Sequence, residues 1–150
     1  MQKVRVAMYI HAPIARVFDA VSDHELFLTV PGKVATRIVT PGIPHRNGLG
    51  CKREVRVDRF LRYLEEITAW EPPDAFEYVI RKCSVPIRHD AGRLAFRSQG
   101  AGTEIEWTTR FEFPIPGFPW LFGSATERRV ASAFTELLVA ARTRLEKRSA

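Results

Sequence analysis

A chain of 150 residues that is 45% hydrophobic and 27% charged has the ordinary globular mix and is long enough to bury one real core, which excludes a disordered tract or a fibrous repeat. Lysine plus arginine (23) exceeds aspartate plus glutamate (17), for a formal charge of +6, but the basic residues fall every few positions instead of in the dense block of a nucleic-acid binder, so no nucleic-acid partner is expected. Two cysteines, Cys51 and Cys83, cannot make a disulfide framework, no apolar run approaches a membrane span, and the first residues lack a signal-peptide core, so a cytoplasmic protein with no integral membrane segment is expected.

Val4, Val6, Met8 and Ile10 alternate at the period of a half-buried strand. Pro13 then suits a first helical turn, and Ile14, Val17, Phe18 and Val21 recur at helical spacing. Ser22 with Glu25 has the form of a capping box, which predicts a second short helix over Asp23 to Thr29, stopped by Pro31-Gly32. From Val34 to Phe113 the signals are strands and turns. Strands are predicted over Val34 to Thr40, Cys51 to Phe60, Leu61 to Trp70, a segment carrying Phe76, Tyr78 and Ile80, then Arg93 to Arg97 and Thr103 to Phe113. Turns fall at Pro44 to Gly50, at Glu71 to Asp74 and at Gln99 to Gly102, with a break at Val85-Pro86-Ile87. The last strand alternates most cleanly, with Thr103, Ile105, Trp107, Thr109, Phe111 and Phe113 on one face. Pro114 to Phe122 is too rich in proline for a helix interior and too apolar for an ordinary loop. Ser124 with Glu127 then predicts the start of a helix of about 20 residues, hence about 30 Å, with Val130, Phe134, Leu137, Leu138, Ala141 and Leu145 as its apolar stripe.

A mostly antiparallel sheet needs its apolar face covered, and the terminal helix is the element able to do it. The expected fold is α+β: one domain over residues 1–150, a curved antiparallel sheet of about seven strands around a long C-terminal helix, and two short helices after the first strand. The run from Ile10 to Asp23, the segment from Glu65 to Pro73 and the Gly102-to-Trp107 stretch resemble the SRPBCC superfamily, also called START-like or Bet v 1-like, and within it the polyketide cyclase/dehydrase and lipid-transport-like branch. That resemblance implies a helix-grip fold with a hydrophobic small molecule between sheet and helix. The same architecture serves carriage, sensing and cyclisation, so the resemblance transfers no reaction onto particular residues.

Serine-hydrolase, phosphate-loop, dinucleotide and zinc-protease signatures are all missing, and no metal or cofactor is expected. His11, His24, His45 and His89 lie far apart beside turns, where surface positions are the default; His89, after Pro86-Ile87-Arg88, is the one placed to reach a cavity mouth. The parity that turns Val55 and Val57 inward also turns Arg53 inward, and a buried guanidinium needs a partner. Glu65 can supply it across a hairpin. Alternatively, Arg53 holds a carboxylate, enolate or phenolate oxygen of a ligand, with Tyr78 and Thr109 supplying hydroxyls. Phe96, Trp107, Phe111 and Phe134 are expected as wall or core, and Phe118 and Trp120 as a cavity gate, a plug or a docking loop. The leading expectation is a binding protein for a hydrophobic, weakly acidic lipid-like or polyketide-like molecule. An aromatase/cyclase-like enzyme and an interaction module built on residues 118–122 are the alternatives, and a homodimer is compatible with either.

Overall fold

The alternating apolar residues resolve into seven strands, β1 (Gln2–Ile10), β2 (Ala35–Thr40), β3 (Lys52–Arg56), β4 (Arg62–Glu71), β5 (Ala75–Cys83), β6 (Arg88–Gln99) and β7 (Gly102–Glu112), with helices α1 (Ile14–Val21), α2 (His24–Phe27) and α3 (Phe118–Ser149). The computed structural model describes residues 1–114 and 118–149, and side chains over 1–114 and 125–147. All strands pair antiparallel in one sheet of order β1-β7-β6-β5-β4-β3-β2. Consecutive hairpins generate β2 through β7, and β1 closes onto β7 with Val6 opposite Trp107 and Ile10 opposite Thr103.

The concave face carries the core, and α3 lies across it, burying Leu138, Ala141 and Leu145 against β1 and α1. That half of the interior is solid. Phe18 meets Trp70, Phe76 and Phe96 edge-on, with centroids 5.1, 5.9 and 5.2 Å away, each contact adding about 0.5–1.5 kcal/mol beyond area burial. Nearer the start of α3 the helix carries Val130, Ala133 and Phe134 over the sheet, and space remains beneath them.

Four boundaries differ from expectation, each for a local reason. Helix α2 covers only His24–Phe27, and the capping box does not form, because the Glu25 carboxylate accepts instead from the Ile38 N–H at 3.0 Å and from Arg46 at 2.8 Å. Strand β3 stops at Arg56 because Asp58 Oδ1 accepts the N–H groups of Phe60 and Leu61, turning the chain. Strand β6 starts at Arg88, directly after the Pro86 break, because β7 supplies a ladder as far as Glu112. Helix α3 begins at Phe118, six residues ahead of Ser124, and so takes in part of the segment expected as a loop; Pro119 falls in its first turn, where a missing N–H costs no helical bond.

One close approach positions the site. Gly92 lies opposite Tyr78 on β6, and a Cβ there would collide with the Tyr78 ring. Gly92→Ala should therefore displace Tyr78 and cost about 2 kcal/mol, read as a lower urea midpoint with unchanged slope. An unchanged midpoint would mean that the ring has room to move.

Candidate functional site

The space beneath the first half of α3 is a cavity of about 470 Å³. Its walls are mostly apolar: Leu61, Ile80, Val85 and Ile87 from the sheet and its loops, Phe111 and Phe113 from the end of β7, and Val130 and Phe134 from α3. Phe134 stacks on Trp107 at 3.6 Å between centroids and 7° between planes, which separates the cavity from the solid core. A narrower pocket of about 130 Å³ continues past Phe134 toward Leu28, Val34 and Arg53.

Glu65 on the sheet side and Thr126 and Arg129 on α3 add polar groups to the lining, and one hydrogen-bonded string runs through the apolar wall. The Ile80 N–H donates to His89 Nδ1 at 3.0 Å, so the ring proton lies on Nε2 and points to Thr109 Oγ1 at 2.8 Å. The Tyr78 hydroxyl has Thr109 as one neighbour and accepts from Trp107 Nε1 at 2.8 Å. Tyr78 also stacks on His89, centroids 5.7 Å apart. Burial holds His89 down at about 4, so it is neutral near pH 7, and burial raises Tyr78, keeping its phenol protonated. A neutral imidazole with both nitrogens engaged orients hydroxyls; it is not poised to take a proton from a ligand.

Behind this string lies a second, fully buried one. Arg53 Nε donates to Glu65 Oε1 at 2.8 Å, its Nη1 donates to His24 Nδ1 at 2.7 Å, and its guanidinium carbon sits 4.7 Å from the Tyr78 centroid. His24 Nε2 is 2.8 Å from the Asn47 carbonyl, so His24 is a neutral Nε2–H tautomer that accepts from Arg53 and donates to the 41–51 loop. Burial, then the adjacent Arg53 charge, push His24 well below the ordinary histidine range. Burial raises the Glu65 carboxyl, and Arg53 pulls against that shift.

Of the residues singled out from sequence, Glu65, Tyr78, Thr109, Phe111, Phe134 and His89 line the cavity, while Arg53 and Trp107 line only the narrower pocket. Arg53 is already paired, as the ion-pair alternative had it. Phe96 belongs to the aromatic cluster around Phe18 and is not on the cavity wall. Phe118 and Trp120 lie outside the residues whose side chains are described. The surface default for His24 is wrong: its exposure is 0%. The signal was present, since His24 follows Val17 by seven and Val21 by three, on the apolar face of the α1–α2 region. Among the described residues no cluster of three or more histidine, cysteine or acidic side chains could hold a metal ion, and no helix is long and apolar enough to cross a membrane.

Two neutral histidines, His24 buried and His89 half-buried, set a pH dependence. Both have folded values below the ordinary 6.5, so below that pH the unfolded chain binds protons that the native state refuses, and stability present above pH 6.5 falls as the pH drops toward 4. Glu65, raised in the fold, works in the opposite sense and offsets part of the loss. His89 is only partly buried, so its share is about 1–2 kcal/mol between pH 7 and pH 4.5 after allowing for solvent screening. Urea unfolding at the two pH values should show that much less acid loss in His89→Gln than in the parent. Equal losses would assign the effect elsewhere.

A seven-stranded antiparallel sheet gripping one long helix, with two short helices after the first strand and a cavity between, defines the helix-grip, Bet v 1-like architecture of the SRPBCC superfamily. Residues 1–146 match the family model described as polyketide cyclase / dehydrase and lipid transport, and the chain belongs to that family. Among solved structures, the Zhui aromatase/cyclase from Streptomyces sp. R1128 matches with TM-score 0.82 at 16% identity, covering 99% of this chain and 96% of that one. TTHA0849 from Thermus thermophilus matches with TM-score 0.77 at 22% identity and 99% coverage of both chains. A point mutant of norcoclaurine synthase from Thalictrum flavum, in complex with a transition-state analogue, matches with TM-score 0.75 at 12% identity, covering 99% of this chain and 96% of that one. At these identities the likeness concerns the fold. A search of curated proteins finds no match.

Proposed function

We propose that this protein binds a hydrophobic small molecule of lipid-like or polyketide-like character in the cavity beneath α3. The observation that carries the reading is a cavity of about 470 Å³ whose apolar wall is interrupted by the hydrogen-bonded string of His89, Thr109 and Tyr78. Such a wall stabilises a ligand by removing apolar area from water, at roughly 25 cal/mol per Å², while one or two hydroxyls fix a carbonyl or hydroxyl of the ligand in place. Arg53 plays no direct part in this reading, because Glu65 and His24 occupy it. Family membership supports the ligand class.

A second reading is turnover of the aromatase/cyclase kind. One feature favours it: the Tyr78 hydroxyl, kept protonated and held by Trp107, lines the cavity as a candidate donor to an enolate oxygen. The test separates the two. Native mass spectrometry of freshly purified protein should show a retained small molecule, and a panel of fatty acids, alcohols and aromatic polyketides should raise the melting temperature. No retained mass and no shift across the panel would sink ligand binding. Conversion of an added polyketone chain, lost in Tyr78→Phe with binding intact, would establish the second reading; binding with no conversion would leave the first.

A further inference from the structure

Among the described residues, every arginine on a strand reaches a carboxylate, from Arg5 on Glu106 to Arg97 on Glu104, except two: Arg56 and Arg62. Those two face each other directly in the β3–β4 register, both exposed, and like charges in that position repel. Arg59, in the turn between them, adds a third cation beside the exposed Phe60 ring. Lys33 adds a fourth, held only by a loose, solvent-exposed contact with Glu136 at 3.7 Å. The acid in their midst, Asp58, already accepts the N–H groups of Phe60 and Leu61. Together these residues line an open cleft of about 690 Å³.

The cleft adjoins the interior and shares walls with it. Lys33, Val34 and Val57 wall both the cleft and the narrow pocket beneath α3, and that pocket shares Tyr63, Glu65, Tyr78 and Phe134 with the main cavity. We propose that the cleft binds the phosphate group of an amphiphile whose apolar part lies in the cavity, an assignment that rests on the ligand-binding reading above. Opposed arginines gathered around one opening match a multiply charged phosphate better than a single carboxylate, because guanidinium groups bind phosphate oxygens in pairs. The bound anion relieves the repulsion between Arg56 and Arg62 that the unliganded hairpin carries.

The test compares dodecyl phosphate, 1-dodecanol and inorganic phosphate on the full chain and on the Arg56→Gln/Arg62→Gln double variant, by calorimetric titration at low salt. Dodecyl phosphate should bind the parent at least tenfold more tightly than dodecanol. The double variant should lose that margin and bind dodecanol as the parent does. Inorganic phosphate should raise the melting temperature of the parent but not of the variant, which in phosphate-free buffer should melt no lower than the parent because a repulsion has been removed. Equal affinity of the parent for the two amphiphiles overturns the cleft assignment alone, as does a margin that survives in the variant. Failure of both amphiphiles to bind overturns the cavity reading and the cleft with it. Capture of the parent but not the variant by phosphatidylglycerol vesicles, with no margin for the free amphiphile, makes the source of the phosphate a membrane surface and overturns the proposal in its stated form.

Discussion

Replacing Arg53 by methionine should lower the free energy of unfolding by about 3–5 kcal/mol, a large fraction of what a domain of this size has. The loss comes less from the ion pair's own worth than from what remains without it. Glu65, 5% exposed, would be left as a buried carboxylate with no cation, and His24 Nδ1 would lose its donor. Arg53→Met/Glu65→Leu should recover most of the loss, because an apolar pair of similar volume avoids both desolvation costs. The pH dependence separates this account from simple loss of packing. An acid whose folded value is raised favours the native state at low pH and loses that contribution as pH rises through the folded value, so Arg53→Met should gain stability relative to the parent as the pH falls from 7 to 5. A single variant within 1 kcal/mol of the parent would show that water reaches Glu65. With Nε held by Glu65 and Nη1 by His24, Arg53 should also affect anionic and neutral ligands equally once the fraction unfolded is taken into account.

Period-two alternation made the sheet legible, because parity alone decides which side chains meet α3; Arg53, Glu65, Tyr78 and Thr109 were all placed inward on that ground. What parity cannot supply is register. The pairing of Arg53 with Glu65 follows from it, and so does the confrontation of Arg56 with Arg62, which on parity alone reads as ordinary solvent-side charge. Register here depends on Asp58 turning the chain after Arg56, a side-chain-to-backbone event hidden inside an apparently continuous strand. His24 shows a different gap: its neighbours fixed its face, but its buried role needs Asn47, 23 residues away in a loop whose path no local pattern dictates. The arginines on the strands thus have two structural destinations. Most of the strand arginines are spent on neighbouring carboxylates, and the two that are not line the open cleft beside the β3–β4 turn.

Val130→Trp and Ile80→Trp approach the cavity from opposite walls, one on α3 and one on β5, and each should weaken binding of an uncharged ligand such as 1-dodecanol at least 100-fold. That factor corresponds to about 2.7 kcal/mol, the apolar contact a ligand would lose if an indole ring took the place of part of it. A larger side chain usually destabilises a core because there is no room for it, but here the added atoms enter existing space, so the melting temperature should stay level or rise. Loss of binding without loss of stability is the combination that distinguishes a filled ligand site from a damaged core. The polar string predicts a finer split within the same cavity. Thr109→Val keeps the volume but leaves His89 Nε2–H without its acceptor, so it should weaken ligands that carry a carbonyl or hydroxyl at the inner end by about tenfold and leave plain hydrocarbons unaffected. Tryptophan variants that retain full binding would place the ligand outside this cavity, and with it the reading of His89, Thr109 and Tyr78 as the groups that orient it.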